Sequence, residues 1–497
     1  MEQHTITQTQ LPVIKEQRLF CRNQDAPRDY TQVMLCFPTD NPGAALGHLK
    51  ASVELLQNNY AFFKARLAAL HQQQPYQKTY DELRRGGFAT EDLCEILDKK
   101  ADEDKVKAWT TADPTAKPEK HQFPASLVHA VALDKGLVVR VYVYHPLFDG
   151  KMRSHFIDCL AAATRGESVK DTPTQTAFPF DYDRTQTFEQ HVAACPELFY
   201  LAPQYPAPKN PRQPNMFPGG HPHGDIKKTS KVFVFSDAKV KELQELIRSS
   251  SAPGGIDNDT KQQQLSSYAC VSALAFAHVV KARLRGEGYK YLPKQAHAPT
   301  AILRHEVDFR KRAFEEYTRD YLGNATVSVF TRVDQQLALG AASATGRNIG
   351  EREEYLVEDF HDDRKEAEML AELAEEVKRS LDEVDEDYVR ARLSVAETAP
   401  DPRRLGLNYD SRQPQVLGFN NWRYTGGKEK WAFPSGEQQL MPEAFRLARG
   451  YSMRNALILP QREGTNDQDI LVSLSEDAMK ELLQDVGWMR WVSEVRD

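Results

Sequence analysis

The stretch that most constrains this chain runs from Gly136 to Arg165. Val138, Val139, Val141 and Val143, with Tyr142 and Tyr144 among them, form a β-branched and aromatic run that reads as a buried strand. The run ends at His145, because Pro146 cannot donate to a sheet ladder. Gly150 is expected to allow the reversal into an amphipathic helix from about Ser154 to Thr164. A histidine therefore stands at a strand end beside a turn. Asp149 lies in that turn, able either to fold back under the imidazole or to pin the loop through a cation elsewhere. An imidazole so placed suits general-base work, since its pKa lies near neutrality and a neighbouring group can fix its tautomer. Upstream, Leu127 to Leu133 and the turn at Asp134 and Lys135 pair with the same strand as a hairpin, a more rigid support than a loop.

At 497 residues the chain exceeds the size at which one core stops growing, so two domains are expected. The Pro/Gly-rich stretch around Tyr205 to Asp225 is the best boundary. It divides the chain into residues 1–205, which carry the histidine, a crossover linker at 206–229, and residues 230–497. No N-terminal apolar segment follows MEQHTITQTQ, and no stretch approaches the roughly 18 continuous apolar residues of a membrane helix. A cytoplasmic monomer is expected. Six cysteines without a CxxC pair argue against a disulfide framework or a zinc site. A net charge of -7 gives no reason to expect a nucleic-acid partner, and an anionic substrate would need a local basic patch.

His145 to Gly150 reads HPLFDG, which resembles the HxxxDG motif of the BAHD acyltransferases within the chloramphenicol-acetyltransferase-like superfamily. A chain with fourteen histidines carries HxxxD by chance, and a second copy, His221 to Asp225, sits in the linker with no strand before it. His221, His223 and Asp225 have too few partners for a metal, so no metal site is expected.

Context supports the first copy. Ala301 to Phe309 reads as a strand leading to Asp308 and Arg310, and Tyr321, Gly323 and Asn324 follow. The family carries VDxR and then YxGN at this separation. Taken alone, Gly323 and Asn324 read as a turn. Gln415 to Trp422 resembles the family strand ending beside the thioester. The family's DFGWG signature survives only in part, at Ala432 to Gly436: Phe433 and Gly436 remain, while Ala432 replaces the aspartate and Ser435 the tryptophan. By resemblance that aspartate is structural and pairs with the arginine of VDxR, so Arg310 is expected to find another partner, Asp149 or solvent. Gly350 to Glu397 is charge-rich and reads as solvated surface helices without a catalytic role. His278 lies within a long helix from Ser267, which is expected to cap it, and reads as a core or surface histidine.

The resemblance implies an α/β protein of two similar chloramphenicol-acetyltransferase-like domains, each a mixed β-sheet flanked by helices, with a channel between them. It looks closest to the divergent branch of fungal secondary metabolism. It implies acyl transfer from coenzyme A to a hydroxyl or amine of a small molecule, with acyl-CoA as co-substrate and no permanently bound cofactor. His145 would be the base, Asp149 would hold the loop, and Trp422 would offer its indole N–H to the oxyanion. Gly150, Asn324, Asn420 and Asn421 are the candidates for contacting substrate or coenzyme A; Arg310, Phe433 and Gly436 are structural. Two alternatives remain open at this point: a condensation-type or cyclising enzyme using a carrier-protein donor or no thioester, and an inactive binding homologue.

Overall fold

A computed structural model describes residues 30–59, 88–89, 107–110, 126–145, 149–169, 180–202, 204, 227–250, 265–288, 299–319, 321, 323–342, 345–346, 357–358, 363–401, 404–426, 429–434, 439–449, 455–462 and 464–496. The strand expected before His145 spans Gly136–Tyr144 and pairs antiparallel with Ser126–Leu133 on one side and Tyr30–Pro38 on the other. With Lys107–Thr110 and Ala444–Arg446 at the edges, these make a five-stranded sheet, antiparallel throughout its described pairings. Alternation then sorts the side chains. Val33, Leu35 and Phe37, with Val139, Val141 and Val143, face two helices, Pro42–Asn59 and Gly150–Thr164, and form the first core. The opposite face carries Met34, Cys36 and Val138.

The second sheet has seven strands, in the order Glu494–Arg496, Lys228–Phe235, Gln468–Ser475, Asn455–Ile458, Val416–Asn421, Thr300–Asp308 and Thr326–Asp334. Only the Val416–Asn421 strand pairs in parallel, with Asn455–Ile458 and with Thr300–Asp308. The helix Ser267–Gly286 lies against this sheet, buried over most of its length by Ala, Val, Leu and Phe side chains. Its N-cap is Ser266, whose hydroxyl accepts from the Ala269 N–H, one residue before the expected cap. Asp363–Asp382 and Glu386–Thr398 are the helices expected in the charge-rich stretch. They are not solvated throughout: Leu370, Leu373, Ala374 and Val377 enter the second core, and Val389 and Leu393 a third cluster.

The two halves exchange segments. Leu198–Tyr200 pairs with Leu405–Leu407, and Phe180, Phe188 and Val192 join a cluster built on Val307, Val327 and Leu393. In return, Trp431, Phe433 and Phe445 enter the first core, where Phe37 stands 5.0 Å from Trp431 and 5.2 Å from Phe433 between ring centroids. Residues 180–202 therefore pack with the second half although they precede the Pro/Gly-rich stretch, and Trp431, Phe433, Leu440 and the strand Ala444–Arg446 pack with the first.

Candidate active site

His145 follows the last residue of the central strand and is half-buried. Pro146 to Phe148 lie outside the described residues; Asp149 and the helix that it caps are clear. The helix begins at Gly150, a turn earlier than the periodicity suggests, because Asp149 is its N-cap. One carboxylate oxygen, Oδ1, accepts from the N–H groups of Lys151 at 3.0 Å and Met152 at 3.1 Å. The other, Oδ2, accepts from Arg310 Nη2 at 2.7 Å and from the Ala325 N–H at 3.0 Å. Asp149 is 4% exposed and Arg310 2%, so this is a buried ion pair between the halves. Of the two roles left open for Asp149, the structure selects the second: it pins the loop through a cation.

Gly150 is not needed for a left-handed turn. It stands in the first helical turn, where a Cβ would meet nothing closer than Arg153 Nη2 at 3.9 Å. The reversal expected of the glycine is made instead by the cap.

Arg310 knits its own loop as well. Nε donates to the Tyr321 carbonyl at 2.7 Å, Nη2 to that of Gly323 at 2.6 Å, and Nη1 lies 3.0 Å from Asp308. Burial alone would lower its pKa; the carboxylates of Asp149 and Asp308 outweigh that and hold it above the ordinary value. With the family's aspartate replaced by Ala432, Arg310 thus takes Asp149 and Asp308 as partners. Gly323 is required by close approach, since a Cβ there would lie 2.0 Å from the hydroxyl of the fully buried Tyr321. Asn324, 2% exposed, donates from Nδ2 to the His145 carbonyl at 2.9 Å. The hairpin end that carries VDxR and YxGN therefore grips both ends of the HPLFDG turn.

The same helix meets the end of the parallel strand. The guanidinium of Arg153, 1% exposed, lies 3.6 Å from the centroid of the Trp422 ring. Ser154 Oγ accepts from the Gly426 N–H at 2.9 Å, and Gly426 has φ +61° against Ile157. Trp422 is half-buried, and its backbone N–H donates to Ile458 at 2.8 Å. Asn420 is half-buried near the strand end, whereas exposed Asn421 accepts from the Arg423 N–H at 2.9 Å and so closes a turn. Ala432 donates its N–H to Thr164 Oγ1 at 3.2 Å, docking its segment on the far end of the helix, and Phe433 is 4% exposed in the first core. Gly436 lies outside the described residues, as do His221, His223 and Asp225. His278 is fully buried with Nδ1 2.8 Å from Asp485, a core histidine.

The structure thus brings His145, Asp149, Arg310 and Asn324 into one knot, and ties Trp422 to it through Arg153 on the shared helix. Arg153 escaped notice in the sequence because an arginine on an amphipathic helix reads as solvent-facing. Nothing local marks it.

Solved structures match almost the whole chain in fold. F. graminearum TRI101 complexed with coenzyme A and deoxynivalenol aligns at a TM-score of 0.65 with 13% identity, covering 95% of this chain and 98% of that one. F. sporotrichioides TRI101 complexed with coenzyme A and T-2 gives 0.61 and 14%, covering 95% and 97%. Vinorine synthase gives 0.55 and 15%, covering 96% and 95%. Among curated proteins, the trichothecene 8-O-acetyltransferase of Fusarium sporotrichioides is 20% identical over 397 residues, 76% of this chain and 73% of that protein. The model of the Transferase family matches residues 88–359, more than half of the chain, and the chain belongs to that family. The fold and family expected from the HPLFDG, VDxR and YxGN matches are those found.

Proposed function

We propose that the protein is an acyltransferase that moves an acyl group from coenzyme A to a hydroxyl of a small secondary metabolite, with His145 as general base. Acyl-CoA is the co-substrate, and the donor and acceptor reach His145 through a passage between the lobes. The observation that carries the reading is the division of labour in the HPLFDG turn. Among the described residues the four hydrogen bonds to the Asp149 carboxylate come from the helix cap, Arg310 and Ala325, so that carboxylate holds the geometry and the proton transfer falls to half-buried His145.

In this mechanism the imidazole removes the hydroxyl proton as the oxygen attacks the thioester carbonyl. The carbonyl electron pair moves onto oxygen, giving a tetrahedral oxyanion to which the Trp422 indole N–H donates. Collapse re-forms the carbonyl and breaks the carbon–sulfur bond, and the imidazolium returns its proton to the departing thiolate. No covalent enzyme intermediate is needed. This agrees with the burial of the described cysteines and with burial raising the Cys159 thiol to about 12.

The relatives support a small-molecule hydroxyl as acceptor: the curated one is a trichothecene 8-O-acetyltransferase, and two solved neighbours hold coenzyme A with T-2 and with deoxynivalenol. The test is to mix the purified protein with acetyl-CoA and a panel of polycyclic alcohols and follow release of free thiol. His145→Ala should lower turnover roughly 100-fold or more while the fold is kept. Near-normal turnover in that variant would remove His145 from the mechanism, and turnover with an acyl-carrier protein but not with acyl-CoA would replace the donor.

A further inference from the structure

The face of the first sheet turned away from its helices carries an unusual row. Strand register places Arg446, Met34, Arg140 and His129 side by side across four strands, with Gln32 and Tyr142 in the next row toward His145. Arg446, Arg140 and His129 are each 4% exposed and Gln32 is 7%. Buried polar groups are ordinarily hydrogen-bonded, and buried charges paired. Among the described residues Arg446, His129 and Gln32 depart from this. Arg446 donates from Nη1 to the Phe445 carbonyl at 2.7 Å, yet its Nε has no partner and it forms no ion pair among the described residues. The carboxylate that Arg446 feels, Asp469, is already held by Arg462 at 3.2 Å and Arg496 at 3.0 Å. Among the described residues neither ring nitrogen of His129 has a hydrogen-bond partner, nor does Gln32 Oε1. The His129 ring rests edge-on against Tyr142 at 4.9 Å, and Arg140 lies over the same tyrosine at 4.9 Å. Burial first, then the Arg140 charge, lowers His129 to about 3, so its ring is a neutral donor and acceptor.

Removing a guanidinium from water without a counter-charge is strongly unfavourable, and evolution of a sheet face toward apolar residues would relieve it. Arg140 precedes His145 by five residues of extended chain, which places the row roughly 17 Å from the reacting centre. That separation is comparable with the reach of a pantetheine arm from thiol to diphosphate, or of an elongated acceptor. We propose that this end of the row is an anion-binding station in which Arg446, assisted by the carboxamide of Gln32 on the neighbouring strand, receives a phosphate or carboxylate oxygen of one of the two substrates. The inference rests on the acyl-transfer reading and names where that reaction holds its charged end.

The experiment compares wild type with Arg446→Gln and Arg446→Lys, using acetyl-CoA against S-acetylpantetheine as donors and a long-chain ω-hydroxy acid against its methyl ester as acceptors. If the station holds coenzyme A phosphate, the preference for acetyl-CoA over S-acetylpantetheine collapses roughly ten- to hundredfold in Arg446→Gln and is partly restored in Arg446→Lys. If it holds an acceptor carboxylate, the preference for the acid over its ester collapses by that amount instead. The ligand-free Arg446→Gln protein should melt no lower than wild type, because an unpaired buried charge has been removed. Both preferences unchanged, or all four substrates impaired equally, would overturn the proposal. Thermal shift separates it from the reading it rests on. A wild type that transfers no acyl group, but whose melting temperature rises with coenzyme A or the hydroxy acid and fails to rise in Arg446→Gln, keeps the station and discards the transferase. A shift that persists in the variant discards the station.

Discussion

Asp149 and Arg310 are 161 residues apart in sequence and 2.7 Å apart in the structure, and the pair anchors the aspartate end of the HPLFDG stretch. Breaking such a pair from one side leaves a buried charge uncompensated. Arg310→Met should therefore cost about 3–5 kcal/mol of stability, and the double variant with Asp149→Asn should cost less than the sum of the two. Urea denaturation of the four proteins measures this, and simple additivity would show that the pair is not coupled. Asn324 acts on the same turn through one hydrogen bond to the His145 carbonyl. Trp422 stands apart from them, with its ring face taken by Arg153. A cation so close to the ring draws electron density from the indole, which makes its N–H a stronger donor. Trp422→Phe removes that N–H and should lower kcat by roughly 10²–10³ with little effect on KM, the pattern of an interaction made in the transition state. An unchanged kcat would make Trp422 an anchor only.

The helix Gly150–Thr164 joins these residues, because its cap meets the hairpin end at Arg310 and Ala325 while its first two turns meet Trp422 and Gly426. Its far end is also buried, and this has a consequence for pH. Burial, and then the nearby Glu429, raise Asp158 to about 7 against the opposing pull of Arg165. In the unfolded chain the carboxyl titrates near 3.9. Between about pH 4 and pH 7 the folded state keeps a proton that the unfolded state has lost. Folding therefore weakens as pH rises through that window, then levels off. Asp158→Asn should remove this part of the slope and raise the melting temperature at pH 7 and above. Parallel curves for variant and wild type from pH 4 to pH 8 would contradict the assignment. Much of this element was legible in the sequence: the β-branched run, the proline stop and the amphipathic stretch to Thr164. Its first turn was not, since an aspartate four residues after a histidine reads equally well as a catalytic partner or a cap. Only the position of Arg310 separates the two.

At the scale of the molecule, exchange of segments makes each half depend on the other. Trp431 and Phe433, from the second half of the chain, fill the first core beside Phe37, and Phe188 and Tyr200, from the first half, pack in the cluster that holds Leu393. Heat should then unfold the protein in one transition. Trp431→Ala should lower its stability by about 3–5 kcal/mol without splitting it. Calorimetry showing two separate peaks would mean that the halves are independent. The division at residues 205 and 230 follows the composition of the chain, but composition carries no signal for segments that cross back. A three-residue strand such as Ala444–Arg446 looks the same whichever sheet accepts it.

The sequence alone determined the elements and the order of the motifs, because period-2 and helical patterns, proline stops and turn residues act over a few positions and need no distant partner. It also placed His145 at a strand end and, through the resemblance and the missing aspartate at Ala432, left Arg310 to find Asp149 or solvent. Which partner it took, which face Arg153 turned to Trp422, and how a buried Arg446 came to stand beside Met34 and Arg140 were decided only by the tertiary structure. Pairings between residues far apart in the chain depend on how two sheets and one helix pack, and no local pattern encodes that geometry.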